Sequence, residues 1–192
     1  MTQIYLASQS PRRRELLQQI GVTFDIINAS IDETPFNGES PEQLVVRLAT
    51  EKARAGLAQV SDESAVVIGS DTIVVSPQGE IFGKPQNFAD AQRMLNALSN
   101  NTHSVMTALA VVTRQQVWSQ NVITKVSFCH LSADMIAAYW QTGEPHDKAG
   151  AYGIQGFAGQ YVNHLQGSYS AVVGLPLYET RQLLDLAIDS VN

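Results

Sequence analysis

"QIYLASQSPRRRELLQQIG", residues 3–21, sets the architecture of the chain. The apolar run "QIYLA" is cut off by "SQSP" and reads as a strand. Ser10 is placed to cap a helix, Pro11 suits its first position and Gly21 suits its end. A strand feeding into a helix is the opening of an α/β protein. Arg12, Arg13 and Arg14 fill the first helical turn, although a helix start carries partial positive charge and favours Asp or Glu. Three cations there call for compensation.

Working outward, "VTFDIINA" (22–29) reads as a second strand. "SPEQ" (40–43) repeats the capping logic: Ser40 caps, Pro41 starts, Gln43 closes the box, and the helix runs to about Leu57. "AVVIGSDTIVVS" (65–76) is a buried-type strand with a polar interruption. "SPQGE" turns it back, so "TIVVS" and "EIFGK" form a hairpin. "NFADAQRMLNALS" (87–99) is an amphipathic helix, and "HSVMTALAVVT" and "QVWSQNVITKVSFCH" are long paired strands. "SADMIAAYWQTG" (132–143) is a helix capped by Ser132 and stopped by Gly143. Residues 144–177, rich in Gly and aromatics, read as loop, and "LYETRQLLDLAIDS" (177–190) as a last helix. Alternation first and strands in the middle predict an α/β fold: a mixed, twisted sheet with flanking helices, in two lobes around a central cleft. No composition shift marks a linker, so the chain is read as one domain, 1–192.

Of the 192 residues, 44% are hydrophobic, which fits a packed core and excludes a disordered chain. A net charge of −6 opposes binding to long nucleic acids but leaves room for a local basic pocket. The single cysteine, Cys129, permits no internal disulfide and fits a reducing compartment. No apolar run is long enough to span a membrane, and the opening residues lack the pattern of a signal peptide. A cytoplasmic protein without membrane partners is expected.

The chemistry-bearing residues are those that break local rules. Around Arg12 and Arg13, backbone N–H groups, the Ser8 and Ser10 hydroxyls and the guanidinium forks form a cradle for a phosphate; the plainer reading is a solvated basic turn. Lys52 follows Leu44 by eight residues and Leu48 by four, which puts it on an apolar stripe. It either snorkels outward or meets a charged partner. Asp71 interrupts a buried strand, where an unpaired carboxylate is costly. It is a structural ion-pair partner, a general base or a metal ligand. Glu33 sits in the loop between strand and helix. Lys84, in "GEIFGKPQN", is not part of a phosphate-binding P-loop: three residues separate Gly79 from Gly83, and Pro85 holds the Ser/Thr position. The four histidines show no metal-ligand spacing, and Cys129 reads as core. "DKAGAYGIQGFAG" permits close backbone approach to a ligand and offers the Gln155 amide to a planar base. Together, cations for phosphates, carboxylates for a divalent metal and a water, and an amide for a base suit a nucleotide.

"LASQSPRRRELL", "IDETPFNGESPEQLVVRLATEKA", "VIGSDTIVV", "GEIFGKP", "DKAGAYGIQG" and "GSYSAVVGLPL" occur in this order over nearly the whole chain. In these blocks the chain resembles the Maf family of nucleoside triphosphate pyrophosphatases. The resemblance implies a fold related to the inosine triphosphate pyrophosphatases and hydrolysis of a nucleoside triphosphate to monophosphate and pyrophosphate with Mg²⁺ or Mn²⁺. By it, Asp71 is the proton acceptor, and Glu33, Lys52 and Lys84 are further active-site residues. Ser8 and Arg13 match the family's phosphate-binding start, where the cradle read from the residues adds Ser10, and the mechanism expected from the residues puts the metal on Glu33 and Asp71. The branch most similar to this chain takes dTTP and UTP, with specificity at Arg12, Thr72 and Gln155. Gln9 stands where relatives commonly have glycine. The competing readings are a 7-methyl-GTP pyrophosphatase of the same family and a nucleotide-binding regulator of cell division. As partners, the resemblance implies a nucleoside triphosphate and suggests a homodimer.

Overall fold

The computed structural model describes residues 2–191. Strand β1 (Ile4–Leu6) leads into helix α1 (Pro11–Gln19). Gly21, at φ 72°, ends that helix: its N–H donates to the Gln18 carbonyl, and the Val22 N–H donates to that of Leu17. Ser10 occupies the N-cap position but its side chain makes no capping bond, which corrects the expectation for this residue. Strand β2 (Asp25–Ile26) is two residues rather than the eight expected. Its ladder partner, β1, is itself three residues long, and both β2 residues are exposed at the sheet edge.

Helix α2 (Pro41–Leu57) starts with the full capping box: Ser40 Oγ accepts from the Gln43 N–H and Gln43 Oε1 accepts from the Ser40 N–H. Strand β3 (Val66–Val75) turns back into β4 (Ile81–Phe82), with Val74 opposite Phe82. Helix α3 (Phe88–Leu98), strands β5 (Thr102–Val112) and β6 (Val117–Phe128), and helix α4 (Ala133–Gln141) follow as predicted. Residues 144–177 are not simply loop. They hold three short 3-10 turns, strand β7 (Val162–Gln166) and helix α5 (Tyr169–Val173), before helix α6 (Leu177–Val191). β7 pairs antiparallel with β6, and Ser168 Oγ accepts from the Ala171 N–H at the start of α5. Hydrogen bonding orders the seven-stranded mixed sheet β2-β1-β3-β5-β6-β7, with β4 on β3.

The chain divides into two compact units. Unit 1 is Met1–Asp71, Thr107–Val122 and Gly174–Asn192; unit 2 is Thr72–Met106 and Ile123–Val173. In unit 1, β1 runs parallel to β2 and β3, with Leu6 opposite Ile68. Helix α2 lies very close to these strands because the facing residues are small. A Cβ on Gly69 of β3 would stand 2.2 Å from the Ala49 carbonyl oxygen, and one on Gly56 would stand 3.0 Å from Ala7 Cβ. In unit 2, Phe82, Leu95, Leu98, Phe128, Ile136 and Tyr139 form a buried core. No helix among the described residues is long and apolar enough to cross a membrane.

Candidate active site

The close packing of α2 on β3 places Lys52 beside Asp71. Lys52 lies between Ala49 and Ala53, the residues nearest to where a Cβ on Gly69 would stand. Its Nζ is 2.6 Å from Asp71 Oδ1 and 2.7 Å from Glu33 Oε1. Asp71 is 7% exposed, so this ammonium is what makes its charge tolerable in the strand. The two rule-breaking residues of the sequence, the lysine on an apolar stripe and the carboxylate in a buried strand, are therefore one pair. Glu33, whose side chain is 60% exposed, joins it from the loop before α2. Each carboxylate gives one oxygen to Lys52.

That loop is held by Arg47, one helical turn and a residue before Lys52. The Arg47 guanidinium meets Glu39 at 2.6 and 2.9 Å, donates to the Thr34 carbonyl and lies 3.9 Å over the Phe36 ring. Hydrogen bonding to Glu39 raises its pKa further above the ordinary arginine value. Arg47, Phe36 and Glu39 also line an open cavity of about 710 Å³.

At the start of α1, Arg13 Nε donates to the Gly174 carbonyl at 2.8 Å, and Nη1 donates to Ser8 Oγ at 3.4 Å. Ser8 Oγ also accepts from the Ser10 N–H. The buried Ser70 hydroxyl donates to the same Gly174 carbonyl at 3.0 Å. Burial lowers the Arg13 pKa and Arg12 adds to this; Asp71 and Glu33 oppose it. No acidic residue lies in the first turn of α1. Within unit 1 the structure thus brings together Ser8, Arg13, Glu33, Lys52 and Asp71, with Arg12 and Ser10 on the same helix start.

Thr72, Lys84 and Gln155 belong to unit 2. Thr72 follows Asp71 on β3 and faces the opposite side of the strand. Lys84 is exposed just beyond β4. The Gly150 N–H donates to the Gly83 carbonyl, so the Lys84 segment runs beside the glycine-rich one. Gln155 is exposed in a turn closed by the Gly156 N–H on the Gly153 carbonyl. Cys129 is part-buried and packs on the unit 2 core, as read from sequence. Sequence reasoning missed Arg47, Ser70 and Gly174. For Ser70 the only local signal is its place beside Asp71.

The model of the Maf-like protein family matches residues 3–187, and the chain belongs to that family. It is 55% identical over 183 residues to a Pseudoalteromonas atlantica protein, covering 94% of this chain and 95% of the relative. It is 54% identical over 184 residues to one from Vibrio vulnificus strain YJ016, covering 96% and 98%. A Hydrogenovibrio crunogenus protein is 49% identical over 181 residues, covering 94% of each. Each of the three relatives is named dTTP/UTP pyrophosphatase.

Proposed function

We propose that this chain is a nucleoside triphosphate pyrophosphatase that converts dTTP and UTP to the monophosphate and pyrophosphate, acting as one functional domain over 1–192. The observation that carries the reading is the Lys52 ammonium held between Asp71 and Glu33, in the unit that also holds Arg13 and Ser8. The relatives' names supply the substrates.

In this reading Lys52 fixes the Asp71 carboxylate through Oδ1, and Oδ2 accepts a proton from a water. The water oxygen bonds to the α-phosphorus as the bond from that phosphorus to the bridging oxygen breaks, releasing pyrophosphate. Arg13 and Lys84 stabilise charge developing on the leaving group, and Ser8 and Ser10 orient phosphate oxygens. Arg12, Thr72 and Gln155 select the base. The donor set fits Mg²⁺ or Mn²⁺. No cluster of three or more His, Cys, Asp or Glu is gathered among the described residues, and such ions are commonly held by one or two carboxylates plus substrate phosphates. Glu33 and Asp71 would hold it, and when bound it supplies neutralisation of the triphosphate charge. We place the protein in the cytoplasm and take it as a homodimer, which light scattering tests.

The deciding experiment assays pyrophosphate and orthophosphate separately. Purified protein with Mg²⁺ or Mn²⁺ is given dTTP, UTP, CTP, GTP, ATP and 7-methyl-GTP, beside Asp71→Asn. Pyrophosphate from dTTP and UTP, lost in the variant, supports the reaction and the base preference. Pyrophosphate mainly from 7-methyl-GTP reassigns the base. None from any nucleotide removes the enzyme reading in favour of a regulator.

A further inference from the structure

Glu144 opens the 3-10 turn Glu144–Asp147, after α4. Its carboxylate collects three donors. The Tyr139 hydroxyl donates to Oε1 at 2.7 Å, the Phe157 N–H to Oε2 at 2.7 Å and the Ala158 N–H to Oε1 at 3.4 Å. The Tyr139 oxygen in turn accepts from the Gly153 N–H at 3.3 Å. The Tyr139 ring stacks on that of Phe157, with centroids 5.8 Å apart and planes 14° apart. Burial, then Glu144, pushes the Tyr139 pKa above its ordinary range, so the phenol stays a neutral donor.

These contacts grip one short segment at both ends, Gly153 on one side and Phe157 and Ala158 on the other. Ile154 and Gln155 are the side chains between them, and Gln155 is the polar, exposed one. Gly156 shows how tightly the carboxylate is seated: a Cβ there would lie 2.1 Å from Glu144 Oε2. A partly exposed carboxylate gains little stability from such placement if solvent can serve it as well. Its geometric effect is larger, because two peptide N–H groups and a phenol are aimed at one point.

We propose that Glu144 is a positioning residue for base selection: through Tyr139 and the N–H groups of Phe157 and Ala158, its carboxylate sets where Gln155 presents its amide to the pyrimidine. This rests on the reading of Gln155 as base-selecting. Glu144→Gln keeps the size but turns one acceptor into a donor, which then faces a donor. Gly156→Ala displaces the carboxylate from the other side.

The test measures kcat and KM separately for dTTP, UTP, CTP and 7-methyl-GTP. The variants are Glu144→Gln, Gly156→Ala, Tyr139→Phe, Gln155→Ala and the double variant E144Q/Q155A. Glu144→Gln is expected to raise the dTTP KM about tenfold with kcat within about twofold, and to lower the preference for dTTP over CTP. In the Gln155→Ala background it adds less than about twofold, because both act through the same amide. A merely structural role would lower the active fraction, seen as reduced kcat at unchanged KM. That result, or unchanged selectivity in Glu144→Gln where Gln155→Ala loses it, overturns the proposal. If Glu144→Gln does not fold, Tyr139→Phe decides, since it removes one hydroxyl and keeps the ring. Unaltered selection in Gln155→Ala itself removes the Gln155 reading and this proposal with it. Absence of pyrophosphate from the unsubstituted protein instead marks failure of the pyrophosphatase reading.

Discussion

Gly69→Ala tests the link between helix packing and the ion cluster. Gly69 does not have a positive φ, so alanine suits its backbone and the cost comes from contact alone. The new Cβ would lie 2.2 Å from the Ala49 carbonyl oxygen and 2.6 Å from the Ala53 nitrogen. An ordinary C···O contact is about 3.3 Å, so α2 must retreat by about 1 Å. Both nearest atoms are backbone, and trimming a neighbouring side chain relieves neither. Overpacking of this kind costs about 1–3 kcal/mol. For a chain of this size that lowers Tm by roughly 2–12 °C. Lys52 travels with the helix segment that moves, and its Nζ now stands 2.6 Å from Asp71. A misplacement of about 1 Å in a positioned group lowers the rate by about 10²-fold. Pyrophosphate release from saturating dTTP gives kcat, and circular dichroism on heating gives Tm. A Gly69→Ala protein with unaltered Tm and kcat would refute the packing argument. A lower Tm with an unaltered kcat would leave the packing intact and show that Lys52 does not depend on it.

Lys52→Met should lower kcat about 10²–10³-fold and destabilise the fold, because Asp71 is left buried and unpaired; adding Asp71→Asn should restore stability in urea titration but not the rate. Gly174→Ala forces a side chain onto a backbone at φ 130° and moves the carbonyl that receives Arg13 and Ser70, so the dTTP KM should rise about tenfold. Ser70→Ala leaves the Arg13 bond in place and should cost only about 0.5–1.5 kcal/mol of stability; equal KM effects in the two would count against the anchoring of Arg13. His103 is buried, and burial with Lys125 nearby lowers its pKa from 6.5 to about 4. Between those values the unfolded chain binds the proton and the folded one does not, so stability falls as pH drops through this window, by about 3 kcal/mol in full. Tm measured from pH 7.5 to 4.5 should show a shallower loss in His103→Gln.

What could be read from the sequence was what is decided locally. The capping box at Ser40 and Gln43 needs only four consecutive residues, and α2 begins and ends where they and Leu57 predict. Ser132 and Gly143 bound α4 for the same reason. Strand β7 and helix α5 are five residues each, and β7 depends on pairing with β6, about 40 residues earlier. Their glycine-rich surroundings carry no period long enough to reveal them. At the site, Lys52 and Asp71 stood out individually as exceptions, but the sequence holds nothing that pairs them. The pairing follows from Gly69, whose importance is the absence of an atom facing Ala49. Gly174, 161 residues from Arg13, is outside any local reading.

A structural ion pair would account for Lys52 and Asp71, but not for the third member. Glu33 is largely exposed and sits on a loop, where water would solvate it at no cost. Its contact with Lys52 instead depends on the Arg47 anchor, which ties the loop to the same helix. Buried pairs are poor sources of stability compared with apolar packing, so a fold built for stability alone would not gather these groups. The start of α1 points the same way. Three arginines oppose the helix dipole with no acid in the first turn, and Arg13 is desolvated against a carbonyl and a hydroxyl. Each of these arrangements departs from what local physics favours, and in unit 1 they converge on anion-binding cations beside fixed carboxylates. Departures that cluster in this way mark a functional site. In the proposed reaction a triphosphate would supply the negative charge that the arginines lack, while the carboxylates would keep an acceptor for the proton of the attacking water.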